Sequence, residues 1–186
     1  MVNTTFASQN GKAYYFNSIP LFLRDSSDSI VGQLVKHSFE VAKAQADAWE
    51  NQIHDLQKRL YEYGIDGDII FEYDIIRLGK RIDVILLIRH MVFSMEFKNG
   101  KEIFTAQDAQ QAEDYAIDIK NFHKESADLY VCPILIATDA KEYSKPQSIN
   151  CYSDKQIFLQ RENRDTMIKK VSEVSQLYGT DEKIDF

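Results

Sequence analysis

Three stretches in the middle of the chain carry the hydrophobic pattern of strands. Residues 69–76 (Ile69-Ile70-Phe71-Glu72-Tyr73-Asp74-Ile75-Ile76) are rich in β-branched and aromatic side chains. Residues 82–88 are apolar enough to be covered on both faces. In residues 91–97, Phe93, Met95 and Phe97 alternate with Ser94, Glu96 and, just beyond, Lys98. Leu78-Gly79-Lys80 reads as the first turn and Arg89-His90 as the second, although neither Arg nor His is a good turn former; Asn99-Gly100 ends the third strand.

Helical spacing flanks these strands. Within residues 29–63, Trp49, Ile53, Leu56 and Leu60 form an apolar stripe, with Ser29 as a candidate N-cap and Gly64 as a stop; Glu40, Gln45 and Glu50 fall on the solvated side. A second helix is expected over 105–122, then a buried strand over 130–137, in which Pro133 implies a late start or an open edge. Residues 138–155 read as a loop and 157–159 as a short strand. Asn163 is a candidate cap for a last helix that turns Met167, Ile168, Val171, Val174 and Tyr178 inward and stops at Gly179. Residues 1–28 read as irregular, with Tyr14-Tyr15-Phe16 packing onto the domain and turns at Ile19-Pro20 and Asp25–Asp28. The alternation of helices and strands predicts an α/β fold. The expected organisation is an N-terminal extension over 1–28, a main domain over 29–160, and a C-terminal helix and tail over 161–186.

Composition adds limits to this picture. A chain of 186 residues, 44% hydrophobic and 27% charged, suits one globular domain with its own core. No apolar run approaches the length of a membrane span, and residues 1–6 lack the basic-then-apolar pattern of a leader. Cys132 and Cys151 match no metal spacing, so free thiols and a cytoplasmic location are expected. The net charge of −7 argues against a polyanion binder that uses its whole surface. Charge is uneven, however: Arg77, Lys80, Arg81, Arg89, Lys98 and Lys101 fall in one short region, which suits either a solvated face or a local basic patch.

The candidate chemistry sits among the apolar strands. A two-residue loop at Arg89-His90 sets Asp83 directly opposite Glu96, and directly opposed residues share a face with side chains roughly 5 Å apart. Lys98, two residues beyond Glu96, shares that face. A one-residue slip would separate them. Two carboxylates so placed repel and call for a cation, for which Mg²⁺ or Mn²⁺ suits oxygen ligands. Lys98 could position or deprotonate a water or steady a phosphoryl oxygen, giving metal-assisted phosphodiester hydrolysis. The same residues also suit a structural salt bridge. On the following helix Gln111 and Tyr115 lie one turn apart, where they could touch a phosphate or the lysine, or simply pack.

An acid (Asp83), then Glu96-Phe97-Lys98, then Gln111-x-x-x-Tyr115 resembles the PD-(D/E)xK nucleases, the RecB-like branch above all. Phe71-Glu72-Tyr73, the run from Gly79 to Leu87, the run from Asp114 to His123, the run from Pro133 to Thr138, and Gln45-x-x-Ala48-Trp49-x-x-Gln52-Ile53 are similar to the N-terminal nuclease-like region of DUF2075-type helicase proteins. The resemblance covers roughly residues 30–140. It implies a restriction-endonuclease-like core: a mixed central sheet, made of a three-stranded antiparallel meander and a further strand, flanked by helices. It also implies that Asp83, Glu96 and the Phe97 backbone carbonyl hold Mg²⁺ or Mn²⁺. Lys98 would be the catalytic lysine, with Gln111 and Tyr115 as accessory catalytic residues. A first hairpin turning at Gly79-Lys80 would put Glu72, Asp74 and Ile76 on the Asp83 face, where Glu72 or Asp74 suits a further ligand or, more simply, a surface or structural role. The implied partner is nucleic acid, DNA before RNA, with a helicase or ATPase domain as a further partner. Ile82, not proline, precedes Asp83, as in the many members that lack that proline, and no Gly-x-x-x-x-Gly-Lys-Ser/Thr motif is present.

Overall fold

The computed structural model describes residues 12–37, 43–75, 78–122, 126 and 128–181. The expectations for residues 1–11, Glu40, Ile76, Arg77, His123 and the tail over 182–186 fall outside them. The described chain is an α/β structure built on one six-stranded mixed sheet, with strands in sequence order from β1 to β6. β1 (Lys12–Ser18), β2 (Asp68–Ile75), β3 (Lys80–Ile88) and β4 (Met91–Lys98) run antiparallel; β5 (Tyr130–Ala137) and β6 (Gln160–Glu162) add on parallel to β4. No helix among the described residues is long and apolar enough to cross a membrane.

Helices cover both faces. α1 (Ile19–Phe22), α2 (Ser27–Lys36), α3 (Lys43–Tyr63) and α5 (Met167–Tyr178) pack on one side, and α4 (Ala106–Phe122) on the other. The α3 stripe of Trp49, Ile53, Leu56 and Leu60 is buried as its spacing predicts, each large side chain contributing about 1.5–3 kcal/mol. Ile69, Phe71, Val84, Leu86, Phe93 and Met95 meet that face; Ile70, Tyr73, Ile82, Ile85 and Val92 meet Tyr115, Ala116 and Ile119 of α4.

Several local expectations need correction. Residues 12–28 are not irregular. Tyr14-Tyr15-Phe16 lies in β1, where Tyr15 is buried against Phe22 and Phe71, and Ile19-Pro20 opens α1 with proline in the first turn, where its missing N–H costs nothing. The sheet therefore runs across both expected boundaries, since β1 precedes residue 29 and β6 spans residues 160 and 161. The cap of α2 is Ser26, whose hydroxyl accepts the Ser29 N–H, rather than Ser29 itself. The first hairpin closes at Ile75 opposite Lys80, so Lys80 is in strand and not in the turn. Strand β5 runs through Pro133. Val131 exchanges backbone bonds with Lys155 and Ile157 on the β6 side, so the donorless Pro133 nitrogen points that way too, just before the β6 ladder begins at Ile134. Ile157 forms an isolated bridge to Cys151 besides its bond to Val131, and the strand proper is β6. The last helix starts at Met167. Asn163 sits earlier, its side-chain oxygen accepting the N–H groups of Asp165 and Thr166 in a turn that leads into α5.

Candidate active site

The site grows out of the β3–β4 hairpin. Arg89 and His90 both adopt positive φ (49° and 63°), the backbone of the two-residue turn whose twist matches paired strands. That turn fixes the register: Ile88 pairs with Met91, Leu86 with Phe93, and Val84 with Met95. The next pair in line would be Asp83 and Glu96, the pair the loop count predicts. The ladder stops short of them. Asp83 instead turns its carboxylate to the backbone of the neighbouring strand, where Oδ2 accepts the Phe97 N–H at 2.8 Å.

Glu96 is almost fully buried on the α4 side of β4. Its Oε1 accepts from Lys98 Nζ at 2.8 Å. Lys98 also donates to Gln111 Oε1 at 2.9 Å, and Gln111 Nε2 donates to the Tyr115 hydroxyl at 2.9 Å. The structure thus joins Glu96, Lys98, Gln111 and Tyr115 into one hydrogen-bonded chain, with Asp83 beside it. Helical spacing puts Gln111 and Tyr115 on one face of α4, and packing of Tyr115 and Ala116 against the sheet turns that face toward Lys98.

Asp108 and Lys101 belong to this group too, and residue patterns did not single them out together. Asp108 lies 3.6 Å from Lys98 and 2.8 Å from Lys101, and accepts from the Thr105 hydroxyl at 2.7 Å. Thr105 in turn accepts the Asp108 N–H at 3.1 Å, which caps the start of α4. The legible signal was Thr105-x-x-Asp108 before a helix, a capping pattern.

Electrostatics set the protonation states. Burial pushes the Asp83 carboxyl well above its ordinary range, and the Glu96 and Glu72 charges push it the same way, against the Phe97 hydrogen bond. Burial also raises Glu96, with Lys98 opposing. Burial alone would lower Lys98, but its hydrogen bond to Glu96 and the charges of Glu96, Asp108 and Asp83 outweigh that and raise it, so Lys98 is an ammonium at neutral pH. For Asp108 burial opposes ionisation, and its bonds to Lys101 and Thr105 with the lysine charges hold it below the usual range.

No protein-family model and no curated protein matches the chain. The chemistry is therefore read from the side chains alone. Glu96 Oε2 is buried and, among the described residues, has no hydrogen-bond donor. A buried carboxylate oxygen without a donor beside a second raised carboxyl is an arrangement that a divalent cation relieves, and the donors are all oxygens, as Mg²⁺ and Mn²⁺ prefer. Among the described residues no three His, Cys, Asp or Glu side chains form a ready metal cluster. A cation at Asp83 and Glu96 would need the Phe97 carbonyl and waters to complete its shell.

Of the two roles open to Glu72, further ligand or structural group, its contacts suit the structural one. It lies in line with Asp83 across the β2–β3 ladder, and both of its oxygens are already engaged: Oε1 by the Trp49 indole N–H at 2.6 Å, Oε2 by Arg81 Nε at 2.8 Å. Arg81 also stacks over Tyr14, 5.2 Å from its ring centre. A cleft of about 510 Å³ opens beside the strand ends, between Ile103 and Phe104 on one bank and Lys141 and Tyr143 on the other. Asp139, on its wall, donates its backbone N–H to the Lys101 carbonyl.

Proposed function

We propose that this chain is a metal-dependent nuclease with a restriction-endonuclease-like core, hydrolysing phosphodiester bonds in nucleic acid, DNA before RNA. The observation that carries the reading is the hydrogen-bonded Glu96–Lys98–Gln111 chain with Asp83 beside it on the same hairpin, and a buried Glu96 oxygen left without a donor among the described residues. The mixed sheet of an antiparallel meander continued by parallel strands agrees with it.

In this reading Asp83 and Glu96, with the Phe97 carbonyl, hold Mg²⁺ or Mn²⁺. When bound, that ion lowers the pKa of a water and stabilises charge on a phosphoryl oxygen. The protein's own groups do the rest. Lys98, held protonated by its acidic neighbours, acts as a hydrogen-bond donor to the attacking water and to the developing negative charge, not as a general base. Gln111 fixes the ammonium from the helix side, and Tyr115 fixes Gln111. Asp108 holds Lys101 at the mouth of the site, where an exposed ammonium can meet the phosphate backbone. A helicase or ATPase partner remains part of the proposal by resemblance.

Single- and double-stranded DNA incubated with Mn²⁺ tests the reading. Cleavage is expected from the wild type and a loss of at least 100-fold from Asp83→Ala and Lys98→Ala. Cleavage that persists equally in both variants refutes it. DNA binding without any cleavage by the wild type would favour a silent nuclease-like module, a reading to which the net charge of −7 and the already paired Lys98 lend weight.

A further inference from the structure

Three consecutive gaps cross the sheet on one line. β1 and β2 pair Ala13 with Tyr73 and Tyr15 with Phe71, but not Tyr14 with Glu72. β2 and β3 pair Phe71 with Val84 and Tyr73 with Ile82, but not Glu72 with Asp83. The β3–β4 ladder ends one residue before Asp83 and Glu96. The side-chain faces change along the same line. Phe71 and Val84 pack with α3, whereas Tyr73 and Ile82, two residues away, pack with α4. Regular alternation would have kept each of those pairs on one face.

Glu72 is at the centre of this line, and it has φ of +52°. For a side chain of this size that is a genuine backbone outlier. Nothing in the local sequence favours it, since glycine, asparagine or aspartate are the residues that adopt it readily. What stabilises it is tertiary: a nearly fully buried carboxylate gripped by Trp49 of α3 and by Arg81, two residues before Asp83. Backbone strain of this kind persists where surrounding contacts over-determine it, and it gathers at functional sites.

We infer that Trp49, Glu72 and Arg81 form a positioning clamp for the proposed active site: they hold the β2–β3 kink that takes Asp83 out of the ladder and aims its carboxylate at Phe97 and Glu96. Glu72 is then a positioning residue and not a metal ligand. The inference rests on the proposed nuclease reading for its consequence in catalysis, but its geometric part stands apart from it.

The test separates the two. Trp49→Phe keeps a smaller aromatic ring and removes the indole N–H; Glu72→Gln keeps the shape and removes the charge that pairs with Arg81. The Phe97 amide, which donates to Asp83, reports the clamp without metal or substrate. Its NMR resonance should shift and its hydrogen exchange should quicken at least tenfold in both variants, while amides of α5 keep their wild-type positions. Unchanged Phe97 amides in two folded variants overturn the inference. Mn²⁺ titration then reads the consequence: both variants should bind about tenfold more weakly, with kcat reduced and the KM for DNA unchanged. Direct ligation by Glu72 predicts opposite signs, since Trp49→Phe would free the carboxylate and tighten binding, and that result also overturns the clamp. A wild type that binds no Mn²⁺ refutes the nuclease reading while leaving the amide result to decide the geometry.

Discussion

At the scale of single residues, Asp83 sits in an environment that opposes its own charge. Its folded pKa lies above the ordinary 3.8 because of burial first and the Glu96 and Glu72 charges second. A carboxyl raised in this way binds more protons folded than unfolded, so it subtracts stability as pH rises from about 4 through the folded value. Asp83→Asn keeps an oxygen to accept the Phe97 N–H and removes the charge. In metal-free protein at pH 7 the variant should therefore melt higher than wild type, by about 2–4 °C for each kcal/mol relieved, and the advantage should vanish near pH 4. Mn²⁺ should reverse the order. At about 100 times its dissociation constant it stabilises the wild type by about 2.7 kcal/mol and leaves the variant unmoved. Thermal melts of both proteins at several pH values, with and without Mn²⁺, check all of this; an Asn variant that melts lower at pH 7 without metal refutes it. Lys98 is the converse case. Its charge is what its neighbours demand, and Lys98→Ala leaves Glu96 buried and unpaired.

At the scale of elements, the β3–β4 hairpin decides whether there is a site at all. Its turn puts two non-glycine residues in the left-handed region, at a cost of about 1–2 kcal/mol each, and His90 Nδ1 is buried without a hydrogen-bond partner among the described residues. His90→Gly removes both penalties while keeping the Arg89 pair with Asp181, so it should raise stability by about 1 kcal/mol in a urea melt with the Val84–Met95 register unchanged. A loss of stability would refute this account of the turn. The hairpin was legible because loop length and alternation agree: a two-residue turn leaves one register that buries Phe93 and Met95, and that register carries Asp83 to Glu96. The Gln111–Tyr115 pair was legible from helical spacing for the same reason. What was not legible depended on distant partners. The conformation of Glu72 needs Trp49, 23 residues away, so a hairpin count with its turn at Gly79-Lys80 left Glu72 open as a ligand. Strand β1 was missed because Tyr14-Tyr15-Phe16 is too short a run to announce alternation, and it becomes a strand only by pairing with β2. Asp108 was missed because its meaning comes from two lysines brought to it by the turn after β4.

At the scale of the whole molecule, the charge distribution limits how the proposed nuclease can hold its substrate. The chain carries −7 overall, so phosphate contacts must come from the cations near the site. Among the described residues, Lys80, Arg81, Lys98 and Lys101 are those cations, and each already faces an acid: Asp118, Glu72, Glu96 and Asp108 in turn. Each phosphate neutralised on duplex DNA steepens the plot of log affinity against log salt by about 0.9. Four paired cations therefore allow a slope no steeper than about −4, far shallower than that of proteins that wrap duplex through many lysines and arginines. Binding should accordingly be weak, losing no more than about 250-fold on moving from 50 to 200 mM salt, and Lys101→Ala should flatten the slope by about 1 because it removes one exposed contact. Fluorescence anisotropy of labelled duplex with the wild-type protein kept metal-free by EDTA, titrated across that salt range, measures it. A slope steeper than about −6 would mean that a second basic surface, away from the Asp83–Glu96 hairpin, carries the DNA.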